Sequence, residues 1–244
     1  TIDVFEAQWL RGMFTRERED IRAEHEASQR DAEVPTSVEL SLVGKLGQHM
    51  LRRAIQLVRG AHHGGLILVL DSNGIERPRG LRLKYSLGQD EPSHRYRTVL
   101  LRILDAVARP SDKPSVDWSD FVSDQSALLS SLEQEVFELS RVLANLTAID
   151  GALVLDKRFG VLGFGAEVSA ELPAPERVYR ALDAEGVERQ PESIENVGTR
   201  HRAAYRFVND HPEGLAVVVS QDGAVSFVAK RDGQVVFWEQ SVSP

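Results

Sequence analysis

The densest chemistry in the sequence lies at Gly198-Thr199-Arg200-His201-Arg202-Ala203-Ala204. Two arginines and a histidine follow one another at what reads as the start of a helix over Arg200 to Val208. A helix start already attracts anions, because its first N–H groups lack intrahelical partners and the helix dipole is positive there. Arginine adds planar, paired donors that match phosphate oxygens. Thr199 can cap the helix or donate to a phosphate, and Gly198 lets a ligand approach the backbone. The plainer account is a surface helix start with incidental charge. The phosphate reading is taken forward because such basic density is unusual in a chain of net charge −8.

A second segment, Ile149-Asp150-Gly151-Ala152, enters an apolar run. A carboxylate at a strand entry, followed by glycine and a small residue, leaves room for a base or ribose against the backbone. It also supplies an oxygen ligand for Mg2+ or Mn2+. Taken alone, Asp-Gly is an ordinary turn. His62-His63 as a metal pair, Gly163-Phe164-Gly165 as a dinucleotide loop, Glu167 with Glu171 as an acidic site and Trp238 as a base platform are weaker candidates. Each is better explained by turns, solvated charge or packing.

The elements that must position these residues follow from apolar spacing. Phe5, Trp9 and Met13 predict an N-terminal helix, and Thr15 to Glu33 a polar helix extension or linker. Val38, Leu40 and Leu42 alternate as in a short strand. Helical spacing covers Leu46 to Val58, His94 to Ala108 and Gln125 to Leu146. Gly65 to Leu70 reads as a buried strand, followed by a turn at Asp71-Ser72-Asn73-Gly74. Two strands are expected over Ala152 to Leu155 and Gly160 to Phe164. Pro175 to Ala184, with Gly186 beyond, suits a short helix. Strands over Leu215 to Val219, Ala224 to Ala229 and Gln234 to Trp238 close the chain, with turns at Asp222-Gly223 and Asp232-Gly233. The expected fold is α/β, a mixed central sheet flanked by helices. Residues 1–45 are an N-terminal helical arm and short strand, and residues 46–244 a nucleotide-binding domain carrying a helical insertion over about 91–148.

Asp-Gly-Ala at a strand start, then Gly-Thr-Arg-His-Arg-Ala-Ala, then a strand ending in serine, resembles the diadenylate cyclase (DAC) domain superfamily, which includes the DNA-integrity scanning protein DisA and membrane-linked cyclases. Ala54 to Leu70 is similar to that family's opening helix and first strand, and Leu215 to Lys230 to its closing hairpin. The resemblance implies a DAC-like fold with helical insertions. It also implies condensation of two ATP into cyclic di-AMP and pyrophosphate with Mg2+ or Mn2+, at two sites facing each other. Under it, Asp150 would be catalytic, binding the metal and helping to deprotonate the ribose 3′-OH. Gly151 and Ala152 would pack near the adenosine. Thr199, Arg200, His201 and Arg202, opened by Gly198, would hold phosphates, and Ser220 would touch the terminal one.

The sequence departs from that pattern in three places. Gln221 stands where the membrane-linked cyclases carry a metal-assisting glutamate, so it is a nucleotide contact without charge. Asp222 could stand in, but its place in a tight turn is the plainer account. Residues 174–197 are longer than the family's segment, and residues 91–148 are a large insertion; both could cover the site or block a face-to-face dimer. Glu195 to Arg202 resembles the DAC-related sensor branch of DACNV type. The expected function is therefore a signalling or defence sensor binding an adenine nucleotide or cyclic dinucleotide, with an active diadenylate cyclase as the alternative. A homo-oligomer is open.

Composition bounds the rest. The 244 residues are 42% hydrophobic and 27% charged, which suits a folded globular chain with a sizeable core. The acidic balance argues against general nucleic-acid or membrane-surface binding. With no cysteine, disulfides and thiolate chemistry are excluded. Apolar runs are too short to span a bilayer and no secretory signal is visible, so a cytoplasmic location is expected. Thr1 suggests that the native start lies upstream.

Overall fold

Strand β2, Gly65–Leu70, is buried along its whole length, so both of its faces need cover. The computed structural model describes residues 2–29, 36–71, 79–87, 94–109, 113–195 and 197–240. In it β2 lies between β6, Ala152–Asp156, which is parallel, and β10, Leu215–Val219, which is antiparallel. Hairpin pairing continues from β10 to β11, Val225–Arg231, and β12, Gln234–Gln240. On the other side β6 pairs with β7, Val161–Val168. Two short strands, β3 at Leu81–Arg82 and β4 at Tyr85–Ser86, both pair with β7. The result is a mixed α/β fold with a ten-stranded sheet flanked by helices.

Alternation along the strands sorts the core into two layers. Ile67, Val69, Leu153, Leu155, Val217 and Phe227 face one side. There they meet α3, Leu40–Gly60, α4, Arg95–Ala108, and α6, Ala127–Leu146. Leu66, Leu68, Ala152, Val154, Ala216 and Val218 face the other, against α7, Thr199–Asp210. Helix α7 buries Ala204, Tyr205, Phe207 and Val208 and turns its basic start away from that core.

The expected helices α4 and α6 are present, with α5, Trp118–Ser123, between them under a capping box from Asp117 and Asp120. This insertion does not lie over the phosphate motif. Its apolar stripes bury against α3 on the far face of the sheet.

Two local expectations fail for physical reasons. Val38 to Leu42 is not one strand. Only Ser37–Val38 (β1) is extended, paired in parallel with Ser115–Val116 (β5), and α3 begins at Leu40. Leu42, Val43, Leu46 and Met50 are spaced for one helix face, and burial of that face decides. Pro175 to Ala184 is not a helix. Val178–Ala181 (β8) pairs in parallel with β12 and antiparallel with Arg189–Glu192 (β9). The Asp183 carboxylate accepts from the N–H groups of Val187 and Glu188 and folds the connection into a hairpin. The turn proposed at Asp71 to Gly74 lies outside the described residues beyond Asp71.

The N-terminal residues join the same core. A 3-10 turn at Val4–Glu6 precedes α1, Gln8–Met13, and α2, Thr15–Ser28. Helix α2 is not a solvated extension, since it buries Glu17, Ile21 and His25. Trp9 stacks on Trp238 with ring centroids 4.3 Å apart, which places Trp238 in the core. Glu185 accepts from the N–H groups of Gln8 and Trp9, supplying the cap that α1 lacks locally. Trp9→Ala is therefore expected to cost about 3–5 kcal/mol in denaturant unfolding, as for other buried tryptophans. It should also expose residues 8–28 to limited proteolysis.

Candidate functional site

Three chain segments converge because of strand direction. Gly65 opens β2 opposite Val219, the last residue of β10. The parallel register of Ile67 with Leu153 brings the start of β6 to the same end of the sheet. Asp150 therefore precedes β6 at the place where Ser220 and Gln221 leave β10. Helix α7 begins beside them. Together they line an open cleft of about 650 Å³, walled by Leu66, Asp150, Gly151, Ala166, Glu167, Val168, Gly198, Thr199, Arg200, His201, Ala203, Ser220 and Gln221.

Eight of the ten residues singled out in the sequence line this cleft. Ala152 does not: it is buried under the strand pairing of β6 with β7. Arg202 is exposed and lies outside the lining. On a helix start, consecutive side chains diverge by about 100°, so Arg200 and Arg202 cannot both face one cleft. Glu167 does belong to it, with its carboxylate 3.8 Å from the Arg82 guanidinium.

Arg200 is held in place from behind. Its Nη2 donates to the His63 carbonyl at 3.2 Å. Gly64 makes room for it: φ is +65°, and a Cβ there would stand 2.9 Å from Arg200 Nη1 and from the Val219 carbonyl oxygen. This anchor was not read from the sequence, where His62 to Gly65 marked only a helix end and strand start. Gly151 is likewise required. Its φ is +112°, and a Cβ would stand 2.6 Å from the Gly165 carbonyl carbon, where β7 crosses.

The opposite lip is the turn Ser220 to Ala224. The Ser220 N–H donates to the Ala224 carbonyl, and the Gly223 N–H to the Ser220 carbonyl. The Asp222 carboxylate accepts from the Ala224 N–H and so belongs to the turn. Arg59, in the last turn of α3, donates through Nε to the Gly223 carbonyl at 2.9 Å.

The cap position of α7 is Gly198, which has no side chain to cap the first turn. That turn's N–H groups open at the cleft, and Thr199 is exposed beside them. His201 is half-buried, with Nε2 3.4 Å from Ser226 Oγ on β11. Burial pulls its pKa below the ordinary histidine value, against the opposing carboxylates of Asp222 and Glu239. At neutral pH it is an uncharged hydrogen-bonding group, not a third cation.

Charge in the lining is thus one guanidinium, Arg200, against two carboxylates, Asp150 and Glu167. Among the described residues no group of three or more His, Asp or Glu side chains gathers to hold a metal by itself. A hard divalent cation is commonly held by one or two carboxylates with ligand phosphates completing its shell, and the carboxylates on this lining are Asp150 and Glu167.

No family model matches the chain, and no curated protein matches it. Among solved structures it is similar to a hypothetical membrane spanning protein from Bacillus cereus, with a TM-score of 0.44 and 15% identity over 93% of this chain and 92% of that one. It is also similar to a double mutant of DacA from Staphylococcus aureus, with a TM-score of 0.35 and 16% identity over 78% of this chain and 87% of that one. Neither likeness is high enough to carry function. No described helix is long and apolar enough to cross a membrane.

Two outcomes are expected from this geometry. Gly64→Ala should lower the unfolding free energy by about 1–3 kcal/mol in denaturant titrations, through backbone strain and displacement of Arg200. For His201, the folded pKa lies below the reference value of 6.5. Between the two values the unfolded chain binds more protons, so stability rises with pH in that window and is lost as pH falls through it. Buried His25 and half-buried His49 act in the same sense. His201→Gln should make the fall in stability between pH 7 and pH 5.5 shallower, and an NMR titration of the parent should place His201 below 6.5.

Proposed function

We propose that the cleft binds the phosphates of an adenine nucleotide or cyclic dinucleotide, and that the chain acts as a DAC-like sensor and not as a cyclase. The observation that carries this reading is the anchored Arg200 at the uncapped start of α7, opening on the same cleft as Asp150 and Ser220. Thr199, the neutral His201 imidazole and the first N–H groups of α7 would complete the phosphate contacts. Leu66, Ala166 and Val168 give the cleft an apolar wall for a base.

A divalent cation is part of this reading, because two carboxylates, Asp150 and Glu167, line the cleft beside the proposed phosphate contacts. Asp150 and Glu167 would hold Mg2+ or Mn2+ against the ligand phosphates, with the uncharged Gln221 as a weaker oxygen donor. Such an ion neutralises phosphate charge and orients the ligand. The sensor reading rests on three features of this chain. Gln221 adds no charge, the Asp222 carboxylate is engaged in its own turn, and Arg202 stands apart from the cleft. A ring that must neutralise two polyphosphates while they react is therefore thin in charge. The helices α4 to α6 do not bear on the choice, because they pack on the far face.

Calorimetry with the purified chain should show binding of ATP or cyclic di-AMP in Mg2+ or Mn2+. ATP binding should be lost in a chelator and in Arg200→Ala. At a ligand concentration about a hundredfold above Kd, mass action stabilises the fold by roughly 2.7 kcal/mol, a thermal shift of about 5–10 °C. Unchanged affinity in Arg200→Ala would sink the phosphate assignment. Incubation with ATP and Mn2+ should give no cyclic di-AMP beyond one turnover. Sustained product, abolished by Asp150→Asn, would establish the cyclase instead.

A further inference from the structure

A second cleft lies on the opposite side of the sheet, between the N-terminal helices, α3 and α5. It has a volume of about 780 Å³ and is lined by Glu6, Arg11, Arg18, Ser41, Gly44, Lys45, Gln48, His49, Arg52 and Trp118. Four of these are permanent cations and one is a carboxylate. In a chain of net charge −8, that is the reverse of the overall balance and the reverse of the first cleft.

The neighbours of each cation show how much of that charge is already answered. Arg11 pairs with Glu6 at the surface. Arg52 meets Asp3 at 2.9 Å and lies over the Phe5 ring. Behind Arg18 stand the carboxylates of Glu19 and Glu17, outside the lining, so the cleft wall itself presents four cations and one carboxylate. Among the described residues Arg18 makes no ion pair; its guanidinium donates to the carbonyls of Arg11 and Phe14 and to Thr15 Oγ1. Burial, and then the neighbouring charge of Arg11, pull its pKa down, against the opposing carboxylates of Glu19 and Glu17. Lys45 has no ion pair among the described residues either, and its ammonium stands 5.6 Å from the centre of the Trp118 ring.

The wall is shaped for this crowding. Gly44 lies inside α3, where glycine weakens a helix. A Cβ there would stand 2.9 Å from Arg18 Nη1, so the glycine lets the guanidinium lie flat against α3 at the floor of the cleft. Concavity of this size suits a small molecule better than a protein surface. Like charges gathered in a concave wall focus potential on whatever enters. Ser41 and Gln48 also line the cleft, with the Ser41 hydroxyl donating to Glu39 and the Gln48 amide to the Phe5 carbonyl.

We propose that this cleft is a second, metal-independent site for a small polyphosphate-bearing ligand, held by Arg11, Arg18, Lys45 and Arg52, with Trp118 as its aromatic wall. The site is independent of the cleft at α7: it shares no residue with it and needs no divalent cation.

The test uses inorganic tripolyphosphate with the full chain in a chelator, followed by calorimetry at low ionic strength. Saturable binding near one per chain is expected, weakening steeply with added salt. Arg11 and Lys45 are exposed and can be changed without opening the core. Loss of either charged partner should weaken binding by about tenfold, the scale of one charge-assisted hydrogen bond, and the Arg11→Ala/Lys45→Ala double variant by more. The thermal midpoint of each ligand-free variant should match the parent. Arg200→Ala should leave this binding intact, and that separates its failure from failure of the first cleft. No binding in chelator, binding unaffected by the double variant, or equal binding of a polyglutamate peptide of matched charge would each overturn the proposal.

Discussion

Burial of β2 on both faces is the constraint from which the rest of the molecule follows. A six-residue strand without one exposed side chain demands a helical layer above and below. One layer is supplied by α3, α4 and α6, the other by α7. The same strand sets the geometry of the candidate site. Its parallel partner must begin, and its antiparallel partner must end, where β2 begins. That is why Asp150 and Ser220, seventy residues apart in sequence, stand beside Gly64. The cleft therefore opens at the amino ends of the parallel pair, and its pull on anions comes from α7 and Arg200.

The two clefts of this acidic chain carry different balances of charge. At α7, backbone donors and a single anchored guanidinium share the lining with Asp150 and Glu167. Beneath the N-terminal helices, cations outnumber carboxylates and Gly44 brings Arg18 close against α3. Net charge says little about either; local arrangement decides.

Much of this was legible in the sequence, and the exceptions have physical causes. The apolar runs of β2, β6 and β10, the long stripes of α4 and α6 and the helix after Gly198 declared themselves by spacing. The residues from Asp150 to Gly151 and from Gly198 to His201 line one cleft. What failed depended on tertiary partners. The segment after Pro175 carries helix punctuation, yet β12 offers Val178 to Ala181 a ladder to complete. Thr15 to Ser28 reads as solvated because its three buried positions include Glu17 and His25. Arg202 looks equivalent to Arg200 in one dimension and is not, because a helix turns. The support of Arg200 by a carbonyl and a glycine has no side-chain signature to read.

The last turn of α3 touches both lips of the cleft. Arg59 grips the Gly223 carbonyl on one lip, and the backbone just beyond it, at His63, grips Arg200 on the other. The two walls thus share a single footing, so neither can swing out while the other stays still. The width of the cleft is not a free coordinate of its own side chains; it is geared to the seating of a 21-residue rod whose far end lies among α1, α2 and α5.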